Sequence, residues 1–195
     1  MGLLLFYLFA ALGISFLCSL LEAVLLSITP SYTAMLVQQG KRTGRLLNRL
    51  REDIDQPLSA ILSLNTIAHT VGAAGVGAQA QLVYGSSSVG ITSAILTLLI
   101  LVLSEIFPKT LGVIHWRRLT GFVTLTIRVL IVLMYPFVLL SKGITKWLAS
   151  GEAQPTISRE EFSALADQGV EEGIFMEEES TIFKNLIRFS SLKVS

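Results

Sequence analysis

Residues 56–104 read QPLSAILSLNTIAHTVGAAGVGAQAQLVYGSSSVGITSAILTLLILVLS, and none of them is Lys, Arg, Asp or Glu. The stretch holds most of two apolar runs, about Leu58–Val83 and Val89–Phe107, parted by Tyr84-Gly85-Ser86-Ser87-Ser88. Each run approaches the roughly 20 residues that a bilayer-crossing helix needs. Working outward, a third run spans about Gly2–Ile28 and has Glu22 as its one charge. A fourth spans about Phe122–Leu148 and carries Arg128 and Pro136.

The composition agrees. Of 195 residues, 52% are hydrophobic and 15% are charged, against roughly 25% charged in a soluble domain. A chain this short cannot bury so much apolar surface in its own core. The net charge of +1 gives no basic excess, so a nucleic-acid partner is not expected. The single cysteine, Cys18, excludes an internal disulfide and a cysteine-based metal cluster. The first run lacks a basic leader and is too long for a signal peptide. Position six is Phe, so the N-terminal myristoylation pattern is absent.

Charge placement sets an expected topology. Residues 1–151 hold 11 basic and 5 acidic side chains, net +6, and residues 152–195 hold 4 and 9, net −5. The loop after the first run carries Lys41, Arg42, Arg45, Arg49 and Arg51, and Lys109, Arg117 and Arg118 follow the third run. The Gly/Ser loop at 84–88 has no charge. The positive-inside rule therefore places the two basic loops in the cytoplasm, and the Gly/Ser loop and the N-terminus outside. The fourth run has two readings. A spanning helix would strand Lys142 and Lys146 outside. A bent amphipathic helix, hinged at Pro136, would lie on the cytoplasmic face. The charges favour the second, which gives three spans and a cytoplasmic tail.

The tail reads as two short helices. Ser158 and Glu161 form a capping box, Phe162, Leu165 and Ala166 share a face, and Gly169 and Gly173 interrupt it. A second helix, about 176–189, aligns Ile182, Phe183, Leu186 and Ile187. Glu171, Glu172, Glu177, Glu178 and Glu179 either bind cytosolic cations or form a solvated acidic face. The expected architecture is an all-α membrane protein with three transmembrane helices and a Pro-kinked juxtamembrane helix, followed by a small cytoplasmic helical bundle.

The polar residues inside the apolar runs are the candidates for chemistry. An ionisable group in a bilayer is costly and usually faces the protein interior. Ser15, Ser19 and Glu22 share one helical face, and Asn65, His69 and Gly72 share another. Ser63, Thr66 and Thr70 lie near and ordinarily bond their own backbone. In Ser104-Glu105-Ile106-Phe107-Pro108-Lys109, the missing N–H of Pro108 deprives the Ser104 carbonyl of its helical partner, so the helix should end or kink there. A free carbonyl, a hydroxyl and a carboxylate then lie within one turn, with Gly112 allowing close approach soon after. Such oxygens suit Mg²⁺ or Ca²⁺. Glu22 reads as a ligand or as a bond to a neighbouring helix. His69 reads as a satisfied core group, a proton relay or a soft-metal ligand. The small residues from Gly72 to Ala78 suit close helix packing, with a homodimer contact as one use. The cluster Lys41–Arg51 suits lipid headgroups or topology alone.

Ser19-Leu20-Leu21-Glu22-Ala23, Leu64-Asn65-Thr66-Ile67-Ala68 and Ser104-Glu105-Ile106-Phe107-Pro108-Lys109, in that order, resemble the CorC/CNNM family of magnesium transporters. The resemblance covers the whole chain. Residues 1–150 resemble the family's transmembrane domain, and residues 151–195 resemble the acidic helical bundle that leads into a pair of CBS domains. Those CBS domains would follow Ser195, so the resemblance implies a piece of a longer chain. It implies a homodimer in the inner (plasma) membrane, contact with membrane lipid, and a juxtamembrane helix forming a cytoplasmic belt. ATP would enter only through the CBS domains. It further implies Na⁺-driven Mg²⁺ export, with Mg²⁺ as the transported ion and no enzymatic activity. Ser19, Asn65 and Glu105 would line the cation site with a carbonyl near Gly112, and Ser104, Pro108 and Lys109 would form the helix break and gate. Two positions depart from the family pattern: Leu21 replaces a second Ser, and His69 replaces a second Asn. Imidazole suits Zn²⁺, Co²⁺ or Mn²⁺ better than Mg²⁺, so Glu22 and His69 complete the candidate metal set. The rival reading is a non-transporting membrane anchor or metal sensor for a cytoplasmic regulatory domain.

Overall fold

The computed structural model describes residues 1–148. The acidic bundle expected at 151–195, with Glu171, Glu172, Glu177, Glu178 and Glu179, lies outside the described residues. Among those described, every regular element is helical: α1 (Gly2–Ser27), α2 (Pro30–Gln38), α3 (Arg42–Glu52), α4 (Asp55–Tyr84), α5 (Val89–Leu99), a π-helical stretch (Ile100–Ile106), α6 (Phe107–Leu133) and α7 (Tyr135–Leu148). A 3₁₀ turn at Ser86–Ser88 joins α4 to α5.

Three helical runs are long and apolar enough to cross a membrane: Gly2–Ser27, Asp55–Tyr84 and Ser86–Leu133. The three transmembrane helices expected from the apolar runs are therefore present. Gly85, at φ +86, ends α4 in a conformation that L side chains rarely adopt. Large apolar side chains are exposed along all three runs, among them Phe6, Phe9, Val71, Leu82, Ile91 and Leu98. So much exposed apolar surface fits a protein solvated by lipid rather than water.

The loop expected between the first two spans is instead a helical hairpin. Thr29 caps α2 by accepting a hydrogen bond from the Tyr32 N–H at 3.3 Å, with Pro30 in the first turn. Leu36 of α2 and Leu47 of α3 turn inward and join the core. Arg51 donates to the carbonyl of Ile28 at the end of α1. One arginine of the basic cluster thus caps a helix rather than facing headgroups.

The third run differs more from expectation. Pro108 does not end a helix; it sits in the first turn of α6, and the strain is taken up by the π stretch before it. There the Phe107 N–H bonds back five residues, to the carbonyl of Val102. Widening the helix relieves the contact that a proline ring would otherwise make with the preceding turn. Nor do residues 109–121 form a loop. The helix runs on to Leu133 and bends at His115, whose φ of −111° and ψ of 17° are not helical. A straight helix of Ser86–Leu133 would be about 70 Å long, far beyond a hydrocarbon core of about 30 Å. The bend at His115, beside Arg117 and Arg118, divides the run into shorter straight segments.

The fourth run is split at Met134 (φ −95°, ψ 16°), not at Pro136, which takes a position in the first turn of α7 where proline is tolerated. At 14 residues, α7 is too short to span. Its Ser141 bonds Ser59 in the first turns of α4 at 2.7 Å, and its Lys142 pairs with Asp53, which caps the end of α3, at 2.8 Å. A spanning fourth run would have carried those residues to the level of Gly85–Ser88. They return instead to the end that bears the basic hairpin, as a juxtamembrane helix would and a fourth span would not.

The core sits toward that same end. Leu21, Val24 and Leu25 of α1 meet Ile61 of α4 and Val123 and Ile127 of α6. Burying a Leu or Ile is worth about 1.5–3 kcal/mol where water is the alternative, which applies to the headgroup level more than to the lipid-facing half.

Candidate functional site

The site grows from the pairing of α1 with α4. The two helices run antiparallel, as a ladder of contacts shows. Tyr84 donates to Met1 Sδ at 3.3 Å. A Cβ on Gly75 would strike the Tyr7 ring, and one on Gly72 would strike Ala11. Next inward, Ser15 Oγ and His69 Nε2 share a hydrogen bond at 2.6 Å. One further turn along each helix lie Ser19 and Asn65. The two polar faces read from the sequence are thus the two faces of one interface, and the small residues of α4 bring the backbones close enough to form it.

The third wall is the π stretch. It carries Ser104, fully buried, and Glu105, whose Oε1 lies 3.9 Å from His69 Nε2. Past it, Gly112 lets α6 lie against α1. A Cβ there would stand 2.8 Å from Ala23 Cβ and 3.3 Å from the Leu20 carbonyl oxygen. Phe107 packs near Phe16, ring centroids 6.2 Å apart.

Three buried oxygens at this junction, Ser19 Oγ, Asn65 Oδ1 and Ser104 Oγ, have no hydrogen-bond partner. Each such group costs about 1–3 kcal/mol when left unmade. One comes from each wall, and neutral oxygens together with a carboxylate such as Glu105 are the donor types that a hard divalent cation takes. Among the described residues, no three His, Cys, Asp or Glu side chains come together as a metal cluster. A cation here would therefore rely on neutral oxygens and Glu105.

Two sequence candidates are placed differently. Glu22 does not join the orphaned oxygens; its Oε2 lies 3.4 Å from Lys109 Nζ, linking α1 to α6. Of the two readings of Glu22, the bond to a neighbouring helix is the one observed. Lys109 is consequently the carboxylate's partner. Ser15 as the partner of His69 was missed, although its place on the Ser19 face was the available signal.

At the bend, Tyr32 of α2 packs edge-on to Trp116 at 4.9 Å, and Arg117 lies 5.2 Å from the same indole. Aromatic and basic side chains of this kind gather at membrane–water boundaries.

The family profile described as the cyclin M transmembrane N-terminal domain matches residues 6–179. The chain belongs to the CNNM family. Its relatives include a UPF0053 protein of Synechocystis sp., 30% identical over 176 residues that cover 90% of this chain and 51% of that protein. A UPF0053 protein of Haemophilus influenzae is 32% identical over 127 residues, covering 65% and 30%. The UPF0053 inner membrane protein YfjD of Escherichia coli is 26% identical over 113 residues, covering 58% and 26%. The chain thus spans about half the length of the first of these curated relatives and less than a third of the other two. Membership in CNNM accords with the three apolar helices: this is a multi-pass membrane domain.

Proposed function

We propose that this CNNM domain is a divalent-cation transporter with Mg²⁺ as its principal cargo. The observation that carries the reading is the set of three buried, unpartnered oxygens, Ser19 Oγ, Asn65 Oδ1 and Ser104 Oγ, beside Glu105. A cation entering from the basic end loses water to these oxygens, and the Glu105 carboxylate supplies the charge. Ser104 and Glu105 sit on a π stretch, and π turns recur at functional sites. The E. coli relative's description as an inner membrane protein supports the same membrane for this chain. Na⁺-driven export, a homodimer and a cytoplasmic tail complete the proposal.

The test is Mg²⁺ flux in proteoliposomes, read with an internal Mg²⁺ dye. Glu105→Ala should cut the initial rate about tenfold or more, the equivalent of about 1.4 kcal/mol in the barrier. A Glu105→Ala protein that moves Mg²⁺ as fast as the parent overturns the reading. A non-transporting anchor or metal sensor predicts no flux in the parent, with these substitutions altering assembly alone.

A further inference from the structure

His69 lies outside the oxygen set, yet it faces it. Its Nε2 is the atom turned both to Ser15 Oγ at 2.6 Å and to Glu105 Oε1 at 3.9 Å. Two ligands of one metal, each about 2.1 Å away, stand roughly 3–3.5 Å apart in tetrahedral or cis-octahedral arrangement. At 3.9 Å the imidazole and the carboxylate stand about 0.4–0.9 Å farther apart than two ligands of one metal, a gap that side-chain rotation can close. Asn65 lies one turn before His69 on α4, and its Oδ1 is buried and unpartnered. Ser104, next to Glu105, is fully buried and likewise unpartnered. These oxygens are the neighbours to which such a metal would be handed on.

Imidazole nitrogen discriminates strongly among divalent cations. It is a common ligand for Zn²⁺ and its transition neighbours, whereas Mg²⁺ keeps to oxygen and gives up water reluctantly. We infer that His69 Nε2 and Glu105 Oε1 form a mixed nitrogen–oxygen position, one helical turn from the Ser19–Asn65 level, that takes borderline transition cations of the Zn²⁺ class in preference to Mg²⁺. The inference rests on the cation-path reading of the previous section and specifies a second cargo class for the same path. His69 is then a specificity-determining residue. Nε2 has a single lone pair, so a bound metal takes it from Ser15 Oγ: Ser15 holds the imidazole only in the metal-free protein and competes with the metal for that atom, and water completes the coordination.

The experiment is calorimetric titration of the purified protein in detergent with Zn²⁺ and, separately, Mg²⁺, on the parent and on His69→Asn, Ser15→Ala and His115→Asn. The parent should bind Zn²⁺ at least tenfold more tightly than Mg²⁺. His69→Asn should lose that margin and keep its Mg²⁺ affinity. Ser15→Ala, which frees Nε2 of its hydrogen bond and leaves the imidazole, should keep or raise the Zn²⁺ affinity, and His115→Asn, which changes the chain's other histidine, should leave it unchanged. Equal losses of both metals in His69→Asn and Ser15→Ala would make His69 a structural residue and overturn the inference, as would Zn²⁺ binding that His69→Asn leaves unchanged. Tight, His69-dependent Zn²⁺ binding by a parent that moves no ion in proteoliposomes would uphold the metal position and sink the transport reading alone. A parent that binds neither metal overturns both.

Discussion

Two sets of buried hydroxyls in this domain behave oppositely. On α6, Thr120 donates to the Trp116 carbonyl at 2.8 Å and Thr124 to the Thr120 carbonyl at 2.6 Å. The buried Thr33, the half-buried Ser27 and Thr126, and the exposed Thr66, Thr97 and Thr110 bond one turn back in the same way. That is the ordinary fate of a hydroxyl on a helix in lipid, where no water offers an alternative. Ser19 and Ser104 are as buried as Thr124, yet neither does so, and Asn65 Oδ1 is equally without a partner. The apolar environment is common to both sets. What separates them is location: the unpartnered oxygens sit where α1, α4 and the π stretch meet, beside Glu105. Every other hydroxyl named here bonds within its own helix or, like Ser15 and Ser59, to a side chain of another helix, which is why these three oxygens carry the proposal of a cation site.

The contrast can be broken in graded ways. The largest effect is expected from the charged member. Glu105→Gln keeps the shape but removes the charge and should lower Mg²⁺ flux about tenfold or more, while Thr124→Val leaves the rate within twofold. Next come the close approaches that build the junction. Gly72→Val drives a side chain into Ala11, and Gly112→Val drives one into Ala23. Overpacking of this kind costs about 1–3 kcal/mol, so both should melt earlier in detergent and lose flux together.

The sharpest test of the contrast is a crossover. Ser19→Ala and Ser104→Ala delete buried oxygens that bond nothing, so each should hold or raise the melting temperature while slowing flux severalfold. Thr124→Val deletes a satisfied hydroxyl and should do the reverse, costing about 0.5–1.5 kcal/mol with flux kept. The smallest effect concerns Glu22 and Lys109. Their side chains are partly exposed, at 23% and 45%, and a double-mutant cycle on stability should give a coupling of about 1 kcal/mol or less.

Much of this was legible in the sequence, for reasons that differ by element. The spans at Gly2–Ser27 and Asp55–Tyr84 followed from apolar runs whose length the bilayer dictates. The Ser15–Ser19–Glu22 and Asn65–His69–Gly72 faces followed from helical periodicity, and they meet at Ser15 and His69, while Glu22 turns to Lys109 of α6. The third run was misread because Pro108, Arg117 and Arg118 look like the end of a helix and the start of a loop. A π stretch accommodates that proline without breaking the chain's course, and it has no composition of its own by which to be recognised. The hairpin of α2 and α3 was hidden because short helices rich in charge read as topology signals. The juxtamembrane placement of the fourth run came from the positions of Lys142 and Lys146, and the Lys142–Asp53 pair bears it out. The hinge did not, because the turn falls at Met134. The partner of Glu22 was out of reach because the pairing depends on how α6 crosses α1, which periodicity within one helix does not record.

The most direct test is a crystallographic map from protein soaked in Mn²⁺, a Mg²⁺ substitute with an anomalous signal. A peak within about 2–2.5 Å of the Asn65 and Glu105 side-chain oxygens, the span of hard-cation coordination distances, is the predicted result, weakened in Glu105→Gln. A map with no peak at that junction, or with the Ser19, Asn65 and Ser104 oxygens hydrogen-bonded to one another, would contradict the claim that these oxygens await a cation.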